Sequence, residues 1–244
     1  MTDPSALTTK IYADGADLDG LLALAEQPYI RGFTTNPTLM RKAGVVDYER
    51  FAREVLEQIT DRPISFEVFS DDVAEMRAQA LEIASWGSNV YVKIPVTNTR
   101  GEWTDALVRE LTGEGVQLNV TALMTVDQVD RVAKALAGGA PSNISVFAGR
   151  VADTGRDPVP LMREALAAAS QAERAELIWA SPRELLNIFQ ANEIGCHIIT
   201  VTHDILAKLA QVGKDLDEFS LDTVKMFHTD AQAAGFSIQT PTGA

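Results

Sequence analysis

Eight short apolar runs, each followed by a stretch of helical composition, succeed one another along this chain and constrain its fold more than any other feature. The predicted strands cover residues 10–14, 32–36, 64–68, 90–95, 116–123, 144–149, 177–181 and 198–203. The predicted helices cover 17–27, 48–60, 71–86, 103–114, 126–138, 160–173, 182–191 and 204–210. In the third helix Val73, Met76, Ala80 and Ile83 recur at the spacing of one helix face. Strand alternating with helix implies a parallel sheet. Eight such units in 244 residues have the size of a (β/α)8 barrel. A doubly wound sheet is the competing α/β fold, but no GxGxxG opens after the first strand and no linker interrupts the chain midway. The expected architecture is therefore α/β, a single (β/α)8 TIM barrel domain over 1–244. The barrel occupies about 10–210, and an additional C-terminal helix occupies about 220–235. That helix carries Val224, Phe227, Ala231 and Ala234 at helical spacing, with Ser220 as predicted N-cap and Gly235 just past its end. It needs a surface to cover, its own barrel or a neighbouring subunit.

Parity within the strands agrees with a barrel. Side chains alternate faces along a strand. Ser65 and Glu67 oppose Phe66 and Val68; Tyr91, Lys93 and Pro95 oppose Val92 and Ile94; Gln117, Asn119 and Thr121 oppose Leu118, Val120 and Ala122; Ser145 and Phe147 oppose Ile144, Val146 and Ala148. One face suits a layer of helices. The other is polar towards the C-terminal strand ends, where barrel enzymes place their chemistry.

The fourth strand, Val90-Tyr91-Val92-Lys93-Ile94-Pro95, sets one lysine in an apolar run. A buried amine must shift its pKa, find a partner or do chemistry, and a neutral one is a nucleophile towards carbonyls. A lone lysine at a strand end more often snorkels to water. Here it has company: Asp14, Thr34, Asn36, Glu67, Asn119, Thr121, Ser145, Arg150, Ser181 and Arg183 also fall at strand ends. Together they supply a carbonyl-reactive amine, two carboxylates for proton transfer, amides and hydroxyls to orient a polyol, and two guanidinium groups suited to a phosphate. Pro182 is expected in the first turn of the following helix, aiming backbone N–H groups at an anion. Each residue has a plainer reading: Asp14 as a helix cap, Glu67 as a structural partner of Lys93, Asn36-Pro37 as a turn, the arginines as surface charges. Their joint placement favours a site.

Composition limits the partners. A net charge of −13 and a pI near 4.6 speak against nucleic acid and anionic membrane. Any anionic substrate then needs a locally basic pocket. The single cysteine, Cys196, is expected to be a buried structural thiol, in keeping with a reducing cytoplasm. No signal peptide and no membrane span is expected, so the predicted location is cytoplasmic.

The runs Gly32-Phe33-Thr34-Thr35-Asn36-Pro37-Thr38, Val92-Lys93-Ile94-Pro95, Leu118-Asn119-Val120-Thr121, Ser145-Val146-Phe147-Ala148-Gly149-Arg150 and Ala180-Ser181-Pro182-Arg183 occur in this order. In them the chain resembles the transaldolase and fructose-6-phosphate aldolase family, from about Lys10 to Gly235. The resemblance implies a class I enzyme without metal or organic cofactor, forming a Schiff base on Lys93. It implies Asp14 as proton shuttle, and Glu67 and Thr121 as holders of a catalytic water. It further implies Asn36 as polyol ligand and Arg150, Ser181 and Arg183 as phosphate contacts. Thr34, Asn119, Ser145 and Phe147 complete the expected substrate pocket. In the resemblance, aldolases carry a tyrosine at the position of Phe147 and tend to have alanine at Ser145. The expected activity is therefore transaldolase, with the aldolase second and a non-catalytic phosphosugar-binding barrel third. Expected partners are sugar phosphates and further copies of the same chain. Tyr12-Ala13-Asp14-Gly15-Ala16 and Pro182 depart from the more usual residues, which bears on substrate choice.

Overall fold

The computed structural model describes residues 6–239. Eight strands pair in parallel, each with the next, and β8 closes onto β1 to complete a barrel. The strands are β1 Lys10–Asp14, β2 Ile30–Thr34, β3 Ile64–Glu67, β4 Val90–Pro95, β5 Leu118–Leu123, β6 Ser142–Val146, β7 Ala175–Trp179 and β8 Ile198–Thr202. Between them run α1 Leu18–Ala25, α2 Pro37–Lys42, α3 Tyr48–Gln58, α4 Val73–Ser85, α5 Asp105–Gly113, α6 Val126–Leu136, α7 Ala148–Ala152, α8 Pro158–Ala169 and α9 Leu186–Glu193. After β8 come α10 His203–Leu206, a 3-10 turn Ala207–Gln211 and α11 Leu216–Ala233.

Most helices start where a short polar side chain replaces a missing intrahelical partner. Asp17, Asp47 and Asp72 accept backbone N–H bonds at the starts of α1, α3 and α4, and Thr125 with Gln128 forms a reciprocal capping box on α6. The outward strand residues Phe33, Phe66, Val92, Leu118, Val120, Ile144, Leu177, Trp179 and Ile199 are fully buried under the helices. The inward residues are different in kind. Tyr12, Ile178, Ala180 and Ile198, with Phe147 against them, form a small apolar plug inside the barrel. Tyr12 fits only because Gly32 lies opposite, where a Cβ would sit 2.5 Å from the ring. Burial raises the phenol pKa of Tyr12 and keeps it neutral. Cys196 is buried, and burial pushes its thiol up to about 12, so it is an unreactive packing group.

Several boundaries differ from expectation, each for a local reason. Strand β2 ends at Thr34 instead of residue 36, because Asn36 caps α2 and Pro37 presets its first turn. Strand β6 ends at Val146, and the next residues form the short helix α7, which carries Arg150. Pro182 does not open a helix. Ser181 adopts the left-handed region at φ 60°, and α9 begins only at Leu186. The N–H groups of Arg183 and Glu184 are already taken by the Asn187 side chain, so they are not aimed at a ligand.

The chain divides into a barrel unit ending at Leu209 and a C-terminal unit beginning at Ala210. The C-terminal helix starts at Leu216 under an Asp215 cap, and Ser220 lies inside it. It ends at Ala233, and Gly235 takes the positive φ of 67° expected of a residue beyond a helix end. Its apolar residues Phe219, Val224 and Phe227 are exposed. Among the described residues no helix is long and apolar enough to cross a membrane.

Candidate active site

Strand β4 aims Lys93 into the barrel, where it is 6% exposed. Its Nζ donates to the Thr35 carbonyl at 2.8 Å and lies 3.1 Å from Glu67 Oε2. The pairing is set by register, since Glu67 stands opposite Lys93 on the neighbouring strand. Glu67 is fixed from behind: the Tyr48 hydroxyl accepts from its N–H at 2.7 Å and donates to its carbonyl at 3.0 Å. Tyr48 is itself held edge-on by Phe66, Phe69 and Trp86. The Lys93–Glu67 pair named as the plainer reading thus exists, and it sits inside the pocket.

Asp14 caps no helix; Asp17 does that work. Its carboxylate accepts from Thr34 Oγ1 at 2.8 Å and from Asn36 Nδ2 at 3.3 Å. Asn36 uses its other end to cap α2, accepting from Leu39 N at 2.9 Å, so turn and site are served by one side chain. Burial raises the Asp14 pKa above the ordinary carboxylate value. Lys93 and the bonds from Thr34 and Asn36 pull it back down, and Glu67 adds to the rise. A carboxylic acid of raised proton affinity can both take and return a proton.

Between these groups lies a hydrogen-bonded ladder. Ser145 donates to Asn119 at 2.7 Å, and Asn119 donates to Ser65 at 3.0 Å, all three buried. Thr121 Oγ1 is buried with no hydrogen-bond partner among the described residues, which leaves it free for a bound group. The next residue, Ala122, has φ 66°, an uncommon conformation for a residue with a Cβ. It coincides with a register shift between β5 and β6. Backbone strain of this kind concentrates at functional sites.

The wall formed after β6 and β7 is cationic. Arg183 makes a two-pronged ion pair with Asp153 at 2.7 and 2.5 Å and donates to the Ser181 carbonyl and hydroxyl at 3.1 and 3.0 Å. That bond lowers the Asp153 pKa and raises that of Arg183. Arg150, exposed on α7, has no hydrogen-bond or ion-pair partner among the described residues. The seam between α7 and the loop after β7 is tight: a Cβ on Gly149 would fall 1.6 Å from the Ser181 carbonyl oxygen. Only glycine fits there.

At the C-terminal ends of the strands lies one cavity of about 630 Å³. It takes in every residue singled out in the sequence: Lys93, Asp14, Glu67, Thr121, Thr34, Asn36, Asn119, Ser145, Phe147, Arg150, Ser181 and Arg183. It also includes Lys42 on α2, Thr200 and Thr202 on β8, and Asp204 just after it, which the sequence reading missed. The signal for the threonines was present, because Thr200 and Thr202 share parity with the inward Ile198. Thr202 donates to Asp204 at 2.5 Å, which lowers the Asp204 pKa. Among the described residues no group of three or more His, Cys, Asp or Glu is arranged to hold a metal ion.

Residues 11–238 match the sequence profile described as "Transaldolase/Fructose-6-phosphate aldolase". A "Probable transaldolase" of Dehalococcoides mccartyi is 34% identical over 203 residues, covering 83% of this chain and 90% of that protein. A "Probable transaldolase 2" of Listeria monocytogenes is 35% identical over 201 residues, covering 82% and 88%. Solved barrels also superpose. A putative lyase/mutase from Burkholderia cenocepacia has a TM-score of 0.53 at 13% identity, covering 94% of this chain and 85% of that one. A 2,3-dimethylmalate lyase has 0.55 at 11%, covering 99% and 88%. At such identities the structural likeness speaks for the barrel alone.

Proposed function

The chain belongs to the transaldolase/fructose-6-phosphate aldolase family, and from that premise we propose that it is a transaldolase working through a Schiff base on Lys93. The observation that carries the reading is the shared pocket of a buried lysine, its carboxylate neighbour Glu67 and a second carboxylate, Asp14, of raised proton affinity. With its proton passed to Glu67, Lys93 Nζ attacks the C2 carbonyl of a ketose phosphate. Loss of water gives an iminium that withdraws electrons. Asp14 removes the proton from the C4 hydroxyl, the C3–C4 bond breaks, and its electron pair flows into the iminium to give an enamine. An aldose phosphate leaves. The enamine carbon then adds to the aldehyde of an acceptor, Asp14 returns its proton to the new hydroxyl, and water releases the product from Lys93. Glu67 and Thr121 manage the water of imine formation and hydrolysis, Asn36, Asn119 and Ser145 orient the dihydroxyacetone unit, and Arg150 takes the phosphate beside Ser181 and Arg183.

Phe147 favours transfer over simple cleavage. It borders the cavity with a phenyl ring and so offers no hydroxyl to position a water. The exposed apolar residues of α11 are assigned to contact with another copy of the chain, giving a homo-oligomer.

Borohydride added with fructose 6-phosphate should inactivate the enzyme and leave one sugar-derived mass on the peptide holding Lys93. Lys93→Arg keeps the charge but should abolish both activity and labelling while the fold persists. Labelling at another lysine, or turnover without any labelling, rejects the mechanism.

A further inference from the structure

Asp14 is not held by its direct ligands alone. Thr34 Oγ1, which donates to Asp14 Oδ1 at 2.8 Å, also lies 2.5 Å from Thr200 Oγ1. Thr200 comes from β8 and Thr34 from β2, the two strands that flank β1, so the hydroxyl pair bridges across the strand that carries Asp14. In register Thr34 is level with Asp14, and Thr200 is level with Tyr12, one inward-facing row lower. Both hydroxyls are enclosed, Thr34 at 3% and Thr200 at 5% exposure.

A threonine hydroxyl has one hydrogen. While Asp14 is ionised, the hydrogen of Thr34 is committed to the carboxylate, which can only accept. The contact between the two threonines must then be made by the hydrogen of Thr200. The order of donation is Thr200 to Thr34 to Asp14. A hydroxyl that accepts a hydrogen bond is polarised and becomes a stronger donor. When Asp14 holds a proton the order can reverse, with Asp14 donating to Thr34 and Thr34 to Thr200.

We propose that Thr200 is a positioning residue for the proton shuttle: its hydroxyl fixes the direction in which Thr34 donates and thereby holds Asp14 ready to accept a proton. The inference rests on Asp14 being the shuttle. Other charged groups facing Asp14 are Lys93 from β4 and Glu67 from β3; Lys42 on α2, Arg150, Arg183 and Asp204 line the same pocket, and His203 on α10 packs beside Gly15. Thr200 leaves each of them in place, so its effect is separable from theirs.

The test titrates Asp14 directly, by NMR of the full chain labelled with ¹³C at aspartate carboxyl carbons; the Asp14 signal is the one missing from Asp14→Asn. Thr200→Val keeps the shape and removes the hydroxyl. It should move the Asp14 midpoint upward by about half a pH unit, since a weakened bond to the ionised form favours the protonated one. The acid limb of kcat should move with it, while KM for the donor stays within about twofold. Thr200→Ser should restore both. An Asp14 midpoint unmoved in Thr200→Val, whatever happens to melting temperature, overturns the proposal and leaves Thr200 a packing residue. Thr200→Ala carries the same reading if the valine variant does not fold. The titration needs no turnover, so it separates failure of this inference from failure of the Schiff-base reading: a moved midpoint with no borohydride labelling of Lys93 keeps the hydroxyl relay and rejects the mechanism.

Discussion

On the β1–β5 side of the pocket most polar groups belong to strands, are buried or half-buried, and are bonded to one another: Lys93 to Glu67, Asp14 to Thr34 and to Asn36 of the α2 cap, Asn119 to Ser65 and to Ser145 of β6. On the β6–β7 side Arg150 and Arg183 sit on loops and a short helix, and the Arg183 side chain is 41% exposed. The first wall has few free donors and is placed by strand register. The second offers charge towards solvent and is placed by one backbone seam at Gly149. A buried, mutually bonded set loses most when one member goes, because the others are left unpaired in a medium of low dielectric. An exposed guanidinium leaves behind groups that water can still reach. The same chemistry of charge therefore yields large, rate-centred effects on one wall and smaller, binding-centred effects on the other.

Asp14→Asn tests the first half of that contrast most severely. The general-base contribution is about 10²–10⁴-fold, so kcat should fall by that order while KM changes little. The same substitution should stabilise the fold, with a pH signature. Burial raises the Asp14 pKa above its unfolded value, so the ionised form is disfavoured in the native state. Below the unfolded pKa the carboxyl is protonated in both states and this penalty vanishes; it grows as pH rises through the folded pKa. The melting temperature gained by Asp14→Asn should be largest above the folded pKa and fade towards acid. A gain independent of pH contradicts this account of the wall.

Arg150→Ala should raise KM for phosphorylated donors by about tenfold, the equivalent of one charge-assisted contact of roughly 1.5 kcal/mol. Unphosphorylated dihydroxyacetone donors should be little affected. Arg183→Ala should do the same and also cost stability, because it frees Asp153 and the Ser181 turn. Equal losses on both donor types would erase the distinction between the walls.

The smallest effect is expected at Phe147, where the walls meet. Phe147→Tyr should raise release of free dihydroxyacetone from fructose 6-phosphate alone by a few-fold, as the phenol positions a water near the imine. If the unmodified enzyme already cleaves fructose 6-phosphate rapidly without an acceptor aldehyde, the aldolase reading replaces the transaldolase one.

The strand-borne wall was the more legible in sequence, for the same reason that it is rigid. Alternation along a strand dictates which side chains turn inward, so Ser65, Glu67, Lys93, Asn119, Thr121 and Ser145 could be assigned from parity alone. Thr200 escaped because Ile198-Ile199-Thr200-Val201 reads as a continuous apolar strand in which threonine passes for a β-former. On the other wall the residue types were visible but their geometry was not. The pairing of Arg183 with Asp153 joins positions 30 apart, and neither α2 nor α7 has enough residues to show a helical period. Lys42 was missed with α2, since its place depends on the direction of a helix only six residues long.

Gly149 has a consequence for how such a pocket can be altered, by selection or by design. Helix α7 and the loop after β7 pass each other there with no space for a methyl group, so the joint is closed to gradual change: its first mutational step, to alanine, already collides with backbone. Arg150 is under no such restriction, because its side chain makes no bond at the crossing among the described residues, whereas Arg183 holds the Ser181 turn. A lineage moving away from phosphorylated substrates would exchange Arg150 early and keep the glycine, making the joint a fossil of the original wall.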